Sequence, residues 1–356
     1  MHNSKEAMGK TDKTTVSMEE ISERLGVSAM TVSRTLNAKS PPTRADALKT
    51  YNQIRKLADE LGYRKSTAPR AMLTGKYHAI TVLGSTQWRK NHMPQTRLRG
   101  LQEASETHGL ALNFARLDDE SLICEDTIPK ILQNFVSDGL LVNYVSGYPQ
   151  SLDEILCRYR IPAIWMNSKH EYDCIYLDDL QGSKHATDYL LSLGHRRIGY
   201  WLLDSAEYAS DIHYSTTDRH AGYLQAMKNA GVPVMEMNPK AKITYSDYES
   251  FLGHWLDRKD RPTAIIAYNP PQAIAVMVAA LRRGLRVPED LSILTFHDEP
   301  GIYQFTTMKI PEVELGIHAL DLLARKIDKP QKKLPSIALP LSLALESLTC
   351  SSPAIS

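Results

Sequence analysis

Ser17-Met18-Glu19-Glu20-Ile21-Ser22-Glu23-Arg24-Leu25-Gly26-Val27-Ser28-Ala29-Met30-Thr31-Val32-Ser33-Arg34-Thr35-Leu36-Asn37 decides the architecture of the first part of the chain. Ser17 and Glu20 have capping-box spacing, in which a hydroxyl accepts from the N–H three residues on and the carboxylate reaches back. Ile21 and Leu25 repeat at i, i+4 and give one short helix an apolar stripe. Gly26 ends it, because glycine takes positive φ without cost. Val27 plugs the turn, Ser28 caps a second helix over 29–37, and Val32 and Leu36 point inward. A third helix follows, with Thr43 as its expected cap and Leu48, Tyr51, Ile54, Ala58 and Leu61 as its apolar face. Two short helices joined by Gly-Val-Ser form a helix-turn-helix, the geometry that sets a second helix into the major groove of DNA.

Residues 20–37, and above all the pattern GVSxxTVSRxLN, resemble the reading head of the LacI/GalR family. The likeness runs from Thr15 to about Leu348. It implies that Ala29, Met30 and Arg34 meet base edges, with arginine suited to the O6 and N7 of guanine. It implies that Ser28, Thr31, Ser33 and Asn37 contact phosphates or hold register. The link from the second to the third helix, with Ser40-Pro41-Pro42, is about four residues longer than the usual pattern. Residues 63–72 resemble the hinge helix of the family. There Thr67 counts among the DNA contacts, and Met72 stands at the wedge position, usually leucine, that enters the minor groove and kinks the duplex.

Beyond His78, short apolar runs alternate with helical patterns. Strands are predicted over 79–84, 111–115, 139–143, 162–166, 198–203, 264–267 and 291–296, separated by helices. That rhythm requires parallel sheets with right-handed crossovers. The expected fold is an α helix-turn-helix head plus an α/β body. The body forms two doubly wound parallel-sheet subdomains of periplasmic-binding-protein type. Arg99-Gly100-Leu101, Leu193-Gly194-His195-Arg196-Arg197-Ile198, Arg219-His220-Ala221-Gly222-Tyr223 and Gly284-Leu285-Arg286-Val287-Pro288-Glu289-Asp290-Leu291-Ser292 carry the resemblance here. The expected boundaries are a disordered tail at 1–14, a head at 15–63 and a hinge and linker at 64–77. The first subdomain is expected at 78–177 with 299–330, the second at 178–298 with 331–356.

Ligands of open α/β sheets sit beyond the carboxyl ends of strands. That rule selects Ser85, Gln87, Trp88, Asn143, Tyr144, Asn167, Asp204, Asn269, His297 and Asp298 as loop candidates. Gln87, Trp88, Asn143, Asn167, Arg219, Asn269 and His297 form the expected effector site. The resemblance puts Arg219 first, since its planar guanidinium can fork onto hydroxyls or a carboxylate. Asn143 matches a polar contact of the lactose-repressor branch, and Trp88 is read either as a stacking surface or as a dimer contact. Two positions depart from the family pattern. Asn269-Pro270 replaces Asn-Asp and so removes an acceptor, and Phe296-His297-Asp298 replaces Tyr-Asp-Asp, with His297 read either as a ligand contact or as a structural residue of the crossover.

The 356 residues carry a formal net charge of +1. Residues 1–76 hold 14 Lys and Arg against 8 Asp and Glu, and the remainder is acidic. A basic head on an acidic body fits a polyanion at the head. Cys124, Cys157, Cys174 and Cys350 have no CxxC spacing and are read as reduced thiols, with no metal site. No apolar run approaches bilayer length and the start lacks a signal-peptide pattern, so the expected location is cytoplasmic. The chain contains no GxSxG, GxxxxGK[ST] or HExxH, and no GxGxxG after a strand, and no enzyme or cofactor is expected. Asp118-Asp119 is read as a solvated loop pair. The function expected is a ligand-responsive, sequence-specific regulator, a repressor. It binds a pseudo-palindromic operator in double-stranded DNA as a homodimer, with a sugar or related small polar metabolite as effector. The alternative is a solute-binding protein without a DNA role.

Overall fold

The computed structural model describes residues 16–38, 40–63, 75–87, 90–122, 132, 136–144, 147, 149–201, 212–237, 239, 243, 245–299, 304–345 and 349–353. The chain divides into two compact units, Met1–Gly75 and Lys76–Ser356.

The head holds three helices, α1 (Met18–Leu25), α2 (Ala29–Asn37) and α3 (Ala45–Glu60). Ser17 caps α1 by accepting from the Glu20 N–H at 3.3 Å. Only half of the expected capping box forms, because the Glu20 carboxylate pairs instead with Arg24 one turn on, at 2.7 Å. Gly26 adopts the left-handed conformation, φ 64°, and its N–H closes the last turn of α1. Thr43 is not the cap of α3, which starts from Arg44 with no side-chain cap. Ile21, Val32, Ile54 and Ala58 form a small buried core, with Leu25, Val27, Leu36 and Leu61 packed around it.

The body contains two six-stranded sheets. The first has the order β11-β5-β4-β3-β1-β2 and the second β12-β10-β9-β8-β6-β7. In the first lobe β1 is Ala79–Ser85, β2 Ala111–Leu117, β3 Gly139–Asn143, β4 Ala163–Met166, β5 Cys174–Leu177 and β11 Ile337–Leu339. In the second, β6 is Ile198–Trp201, β7 Met235–Met237, β8 Ala264–Ile266, β9 Ser292–His297, β10 Thr306–Lys309 and β12 Ser342–Ala344. Every strand pair is parallel except β10–β12. Central strands such as β1 and β3 are buried along their whole length. Helices cover both faces of such a sheet, so the strands read as continuous apolar runs.

The helices are α4 (Gln95–His108), α5 (Gln150–Arg158), α6 (Asp179–Ser192), α7 (Tyr214–Asn229), α8 (Tyr248–Leu256), α9 (Pro270–Arg282) and α10 (Glu312–Asp328). The two lobes share one topology. Each begins strand–helix–strand and reverses direction beside its first strand, between β1 and β3 in one lobe and between β6 and β8 in the other.

The chain crosses between lobes three times: after β5, between β10 and α10, and between β11 and β12. The second and third crossings differ from the expected boundaries. Residues 306–309 pair with β9, Thr306 opposite Leu294, and belong to the second lobe. Residues 337–339 pair with β5, Ile337 opposite Ile175, and belong to the first. Strands of three or four residues show too little alternation to be assigned to a sheet by pattern.

Candidate functional site: a DNA-reading helix and an inter-lobe cleft

The exposed face of α2 carries the expected DNA-binding residues. Ser28 caps the helix, its hydroxyl accepting from the Thr31 N–H at 3.2 Å and lying 2.9 Å from the Thr31 hydroxyl. Ala29, Met30, Arg34 and Asn37 are exposed, and Thr31 and Ser33 are half-buried. Asn37 donates to the Ser33 carbonyl at 2.7 Å, which fixes its amide along the helix. Val32 and Thr35 point into the core. Met30 is 61% exposed, too much for a core residue in a domain this small. Thr67 and Met72 lie outside the described residues.

In the body, loops at the carboxyl ends of the two sheets meet. The Thr96 hydroxyl donates to Asp298. Asn167, just past β4, is left-handed at φ 52°. Its carbonyl lies 2.9 Å from His213 Nε2, and its side-chain oxygen accepts from the Tyr214 hydroxyl at 2.9 Å. Lys169 pairs with Asp218 at 2.6 Å. These bonds join the lobes at the carboxyl ends of the two sheets, the side on which open α/β sheets bind ligands.

Two buried ion pairs stand near this seam, one in each lobe. Arg97 donates through Nε and Nη2 to both oxygens of Glu312, at 2.7 and 2.9 Å, and through Nη1 to Asn143 at 2.9 Å. Arg219 donates through Nε to Asp179 at 2.6 Å and through Nη1 to the Tyr268 carbonyl at 3.0 Å. The Arg219 guanidinium also lies 4.1 Å from the ring centre of Phe296 and 4.6 Å from that of Tyr268. The pairs feel each other: the charge of Glu312 reaches Asp179, and that of Arg97 reaches His213 and Tyr214. Burial pushes the Asp179 carboxyl up, with Arg219 pulling against it. Burial draws Arg219 down, but Asp179 and Tyr268 outweigh it and hold the guanidinium above its ordinary value.

Glycines set both pairs. A Cβ on Gly100 would lie 2.1 Å from the Val313 carbonyl, and one on Gly316 2.5 Å from that of Arg97. These two glycines let α4 and α10 touch backbone to backbone, bringing Arg97 to Glu312. Gly222 does the same for α7 and α6, where a Cβ would lie 2.2 Å from the Leu180 carbonyl. Arg97 and Arg219 each stand three residues before their glycine, so Arg-x-x-Gly recurs on the equivalent helices α4 and α7.

The remaining expected ligand residues divide. Asn143 bonds Arg97 within the first lobe, Asn167 bonds His213 and Tyr214 across the seam, and Arg219 is committed to Asp179 and stacked on two rings. Asn269 caps α9 by accepting from the Gln272 N–H at 3.0 Å, with Pro270 in the first turn where its missing N–H costs nothing. His297 Nδ1 accepts from the Glu299 N–H at 2.9 Å and shapes the turn, while Nε2 lies 3.3 Å from Asp298. Gln87 is exposed. Trp88 and Asp204 lie outside the described residues.

Asp119 corrects the solvated-loop reading. It is buried, accepting from Ser85, Tyr144 and Lys90 at 2.9, 3.0 and 3.1 Å. Arg97, Glu312, Asp179, His213 and Tyr214 escaped the sequence reading. The repeated Arg-x-x-Gly was the signal available for the two arginines. Cys157, Cys174 and Cys350 are free thiols. Among the described residues no cluster of His, Cys, Asp and Glu could hold a metal ion, and no helix is long and apolar enough to cross a membrane.

Residues 187–345 match the periplasmic binding protein-like domain model. The HTH-type transcriptional repressor CytR of Escherichia coli (strain K12) is 26% identical over 324 residues, 88% of this chain and 90% of its own length. The HTH-type transcriptional regulator DegA of Bacillus subtilis (strain 168) is 28% identical over 350 residues, 95% of this chain and 98% of its own. Over nearly its whole length the chain is thus similar in sequence to HTH-type transcriptional repressors and regulators. In fold, the chain is similar to the lac repressor dimer bound to operator and the anti-inducer ONPF, with TM-score 0.74 and 21% identity, covering 95% of this chain and 100% of that one. It is also similar to the transcriptional regulator CelR–cellobiose complex, with TM-score 0.60 and 19% identity, covering 93% and 98%.

Proposed function

We propose that the chain is a ligand-responsive transcriptional repressor that reads a pseudo-palindromic operator as a homodimer. One observation carries the DNA half: a capped helix presents Ala29, Met30, Arg34 and Asn37 outward while Val32 and Thr35 anchor it inward. Arg34 takes a guanine, Met30 and Ala29 take thymine methyls, and Ser28, Thr31, Ser33 and Asn37 hold the backbone. Thr67 and Met72 remain assigned to the hinge, with Met72 as the minor-groove wedge. The head ends near residue 63 and the linker near 77. The body runs as a first lobe of 78–177 with about 312–339 and a second of 178–309 with about 342–353.

The cleft holds the effector, a sugar or related small polar metabolite, as fits relatives solved with ribose and with cellobiose. Asn143, Asn167 and Arg219 with its Asp179 partner carry that site, and Gln87, Trp88, Asn269 and His297 belong to its surroundings.

Selection of binding sites from random duplex DNA tests the reader. Wild type should enrich an inverted repeat. Arg34→Ala should lose about 1–3 kcal/mol on that site and relax its preference at one base pair per half-site. An unchanged preference removes Arg34 from the base contacts, and no enrichment by wild type removes the DNA reading itself.

A further inference from the structure

We propose that the amino-terminal edge of the first lobe's sheet is a second DNA-binding surface, which holds the phosphate backbone beside the operator without reading bases. This rests on the DNA-reading role proposed above.

Strands β1, β3, β4, β5 and β11 run parallel, so the segments that lead into them gather at one edge of the sheet. Cations collect there although the body as a whole is acidic. Residues 325–333, from the last turn of α10 toward β11, hold five Lys and Arg against one Asp. Arg158 and Arg160 lead from α5 into β4. Tyr172 and Pro335 form a bridge, and Lys333 lies 4.8 Å over the Tyr172 ring, which sets the leads into β5 and β11 side by side. Neighbouring strands stand about 4.8 Å apart, so the leads into β11, β5 and β4 make a row about 10 Å wide. Duplex DNA carries one charge per roughly 1.7 Å of axis, so such a row meets several phosphates.

The acids of this edge are already engaged. Asp138 accepts from the Tyr77 and His78 N–H groups at 2.6 and 2.8 Å. Asp173 accepts from Lys326 at 2.7 Å and from the Leu334 N–H at 2.9 Å. Asp328 lies 3.9 Å from Lys76, and Glu171 stands beside the Tyr172 hydroxyl. Arg158, Arg160, Lys329 and Lys332 are exposed and enter no ion pair among the described residues. Cations at a helix end ordinarily answer the helix dipole. Arg160, Lys332 and Lys333 lie beyond the helix ends, so the dipole does not account for them. Tyr77 and Tyr159 are exposed at the same edge, and phenol hydroxyls join Lys and Arg as donors to phosphate.

The place where the chain enters the body selects the polyanion. Lys76 stands three residues before β1, at this edge. The stretch from Tyr63 to Lys76 spans at most about 45 Å when extended, so DNA gripped by the head is offered to this surface at high effective concentration. Exposed, flexible cations hold phosphates rather than bases, and base preference stays with the head.

The test uses the full-length chain and the inverted repeat that wild type enriches from random duplex DNA, set in duplexes of about 20 and about 60 base pairs. Wild type should bind the longer duplex at least about fivefold more tightly. Replacing Lys329, Lys332 and Lys333 together with Gln should remove most of that gain. It should also lower the slope of log affinity against log salt by roughly one per lysine, with base preference unchanged. Arg158→Gln with Arg160→Asn, on a separate segment, should act in the same direction; Arg160 has φ 54°, which asparagine tolerates. Arg99→Gln, an exposed cation in the first half of α4, controls for net charge and should leave the slope as it is.

Equal affinity of wild type for the two lengths overturns the inference and leaves the operator reading standing. Variants that fold and keep the wild-type gain and salt slope overturn it as well, and the surface is then left to an acidic protein or to no partner. A slope loss per charge from Arg99→Gln equal to that of the lysines also overturns it, because net charge alone would explain the effect. If wild type enriches no repeat, the DNA-reading role falls first and the inference falls with it.

Discussion

His213 shows how one side chain can tie cleft geometry to proton concentration. Its Nε2 faces the Asn167 carbonyl across the seam, and Nδ1 accepts from the Ser215 N–H at 3.3 Å. This arrangement needs the neutral ring. Burial lowers its proton affinity to about 4, against an ordinary 6.5, with the Asn167 carbonyl pulling the other way and Arg219 and Arg97 adding to the depression. The unfolded chain therefore takes the proton first. Stability from this residue is complete above about pH 6.5 and falls as pH drops toward 4, in total on the order of 3 kcal/mol. Burial also lowers His92, His170 and His195, and they act with the same sign. Thermal melts of wild type should therefore lose Tm between pH 7 and pH 5, and His213→Asn should flatten that slope without abolishing it. An identical slope in the variant would assign the dependence to the other histidines.

At the scale of the element, the second helix of the head and the glycine-closed helix pairs make separate demands. The helix α2 has only nine residues, and isolated helices so short do not hold in water. Its Ser28 cap satisfies one of the N–H groups the helix leaves open. Ser28→Ala should cost the head about 0.5–2 kcal/mol, read by the helical circular dichroism melt of the head, and weaken operator binding in step. The paired helices α4 and α10 tolerate less. Gly100→Ala places a methyl 2.1 Å from the Val313 carbonyl, so the helices must part. A loss of about 1–3 kcal/mol is expected in a denaturant melt of the body, together with loss of ligand response, because Arg97 moves off Glu312.

This is also where the sequence was legible and where it was not. Helices and long buried strands declare themselves by period, and the helix-turn-helix by its Gly26-Val27-Ser28 turn. Arg219 could be singled out by resemblance. Its partner Asp179 could not, because a carboxylate at a helix start reads as an ordinary first-turn charge. Glu312 was hidden the same way. Asn269 was read as a ligand group because it follows a strand, yet it caps a helix, while His297, read either as a ligand contact or as a structural residue of the crossover, shapes a turn. Position after a strand selects a loop, not the direction in which its side chain is used.

At the scale of the whole molecule, α9 presents Ile274, Val278 and Leu281 outward, the last 61% exposed. Their i, i+4, i+7 spacing makes one apolar stripe, the kind of surface a second copy covers. Leu281→Glu should shift the protein from dimer to monomer in sedimentation velocity. It should also weaken operator binding at least tenfold, because two tethered heads gain affinity that one lacks. A dimer that survives the charge would place the contact elsewhere.

The three crossings between lobes, at 177–179, 309–312 and 339–342, have one more effect. A single tether would let the lobes slide, twist and separate. Three strands of chain crossing side by side leave rotation as the soft motion and make translation stiff, as with a door hung on several hinges. Whatever occupies the cleft is thereby reported as an angle.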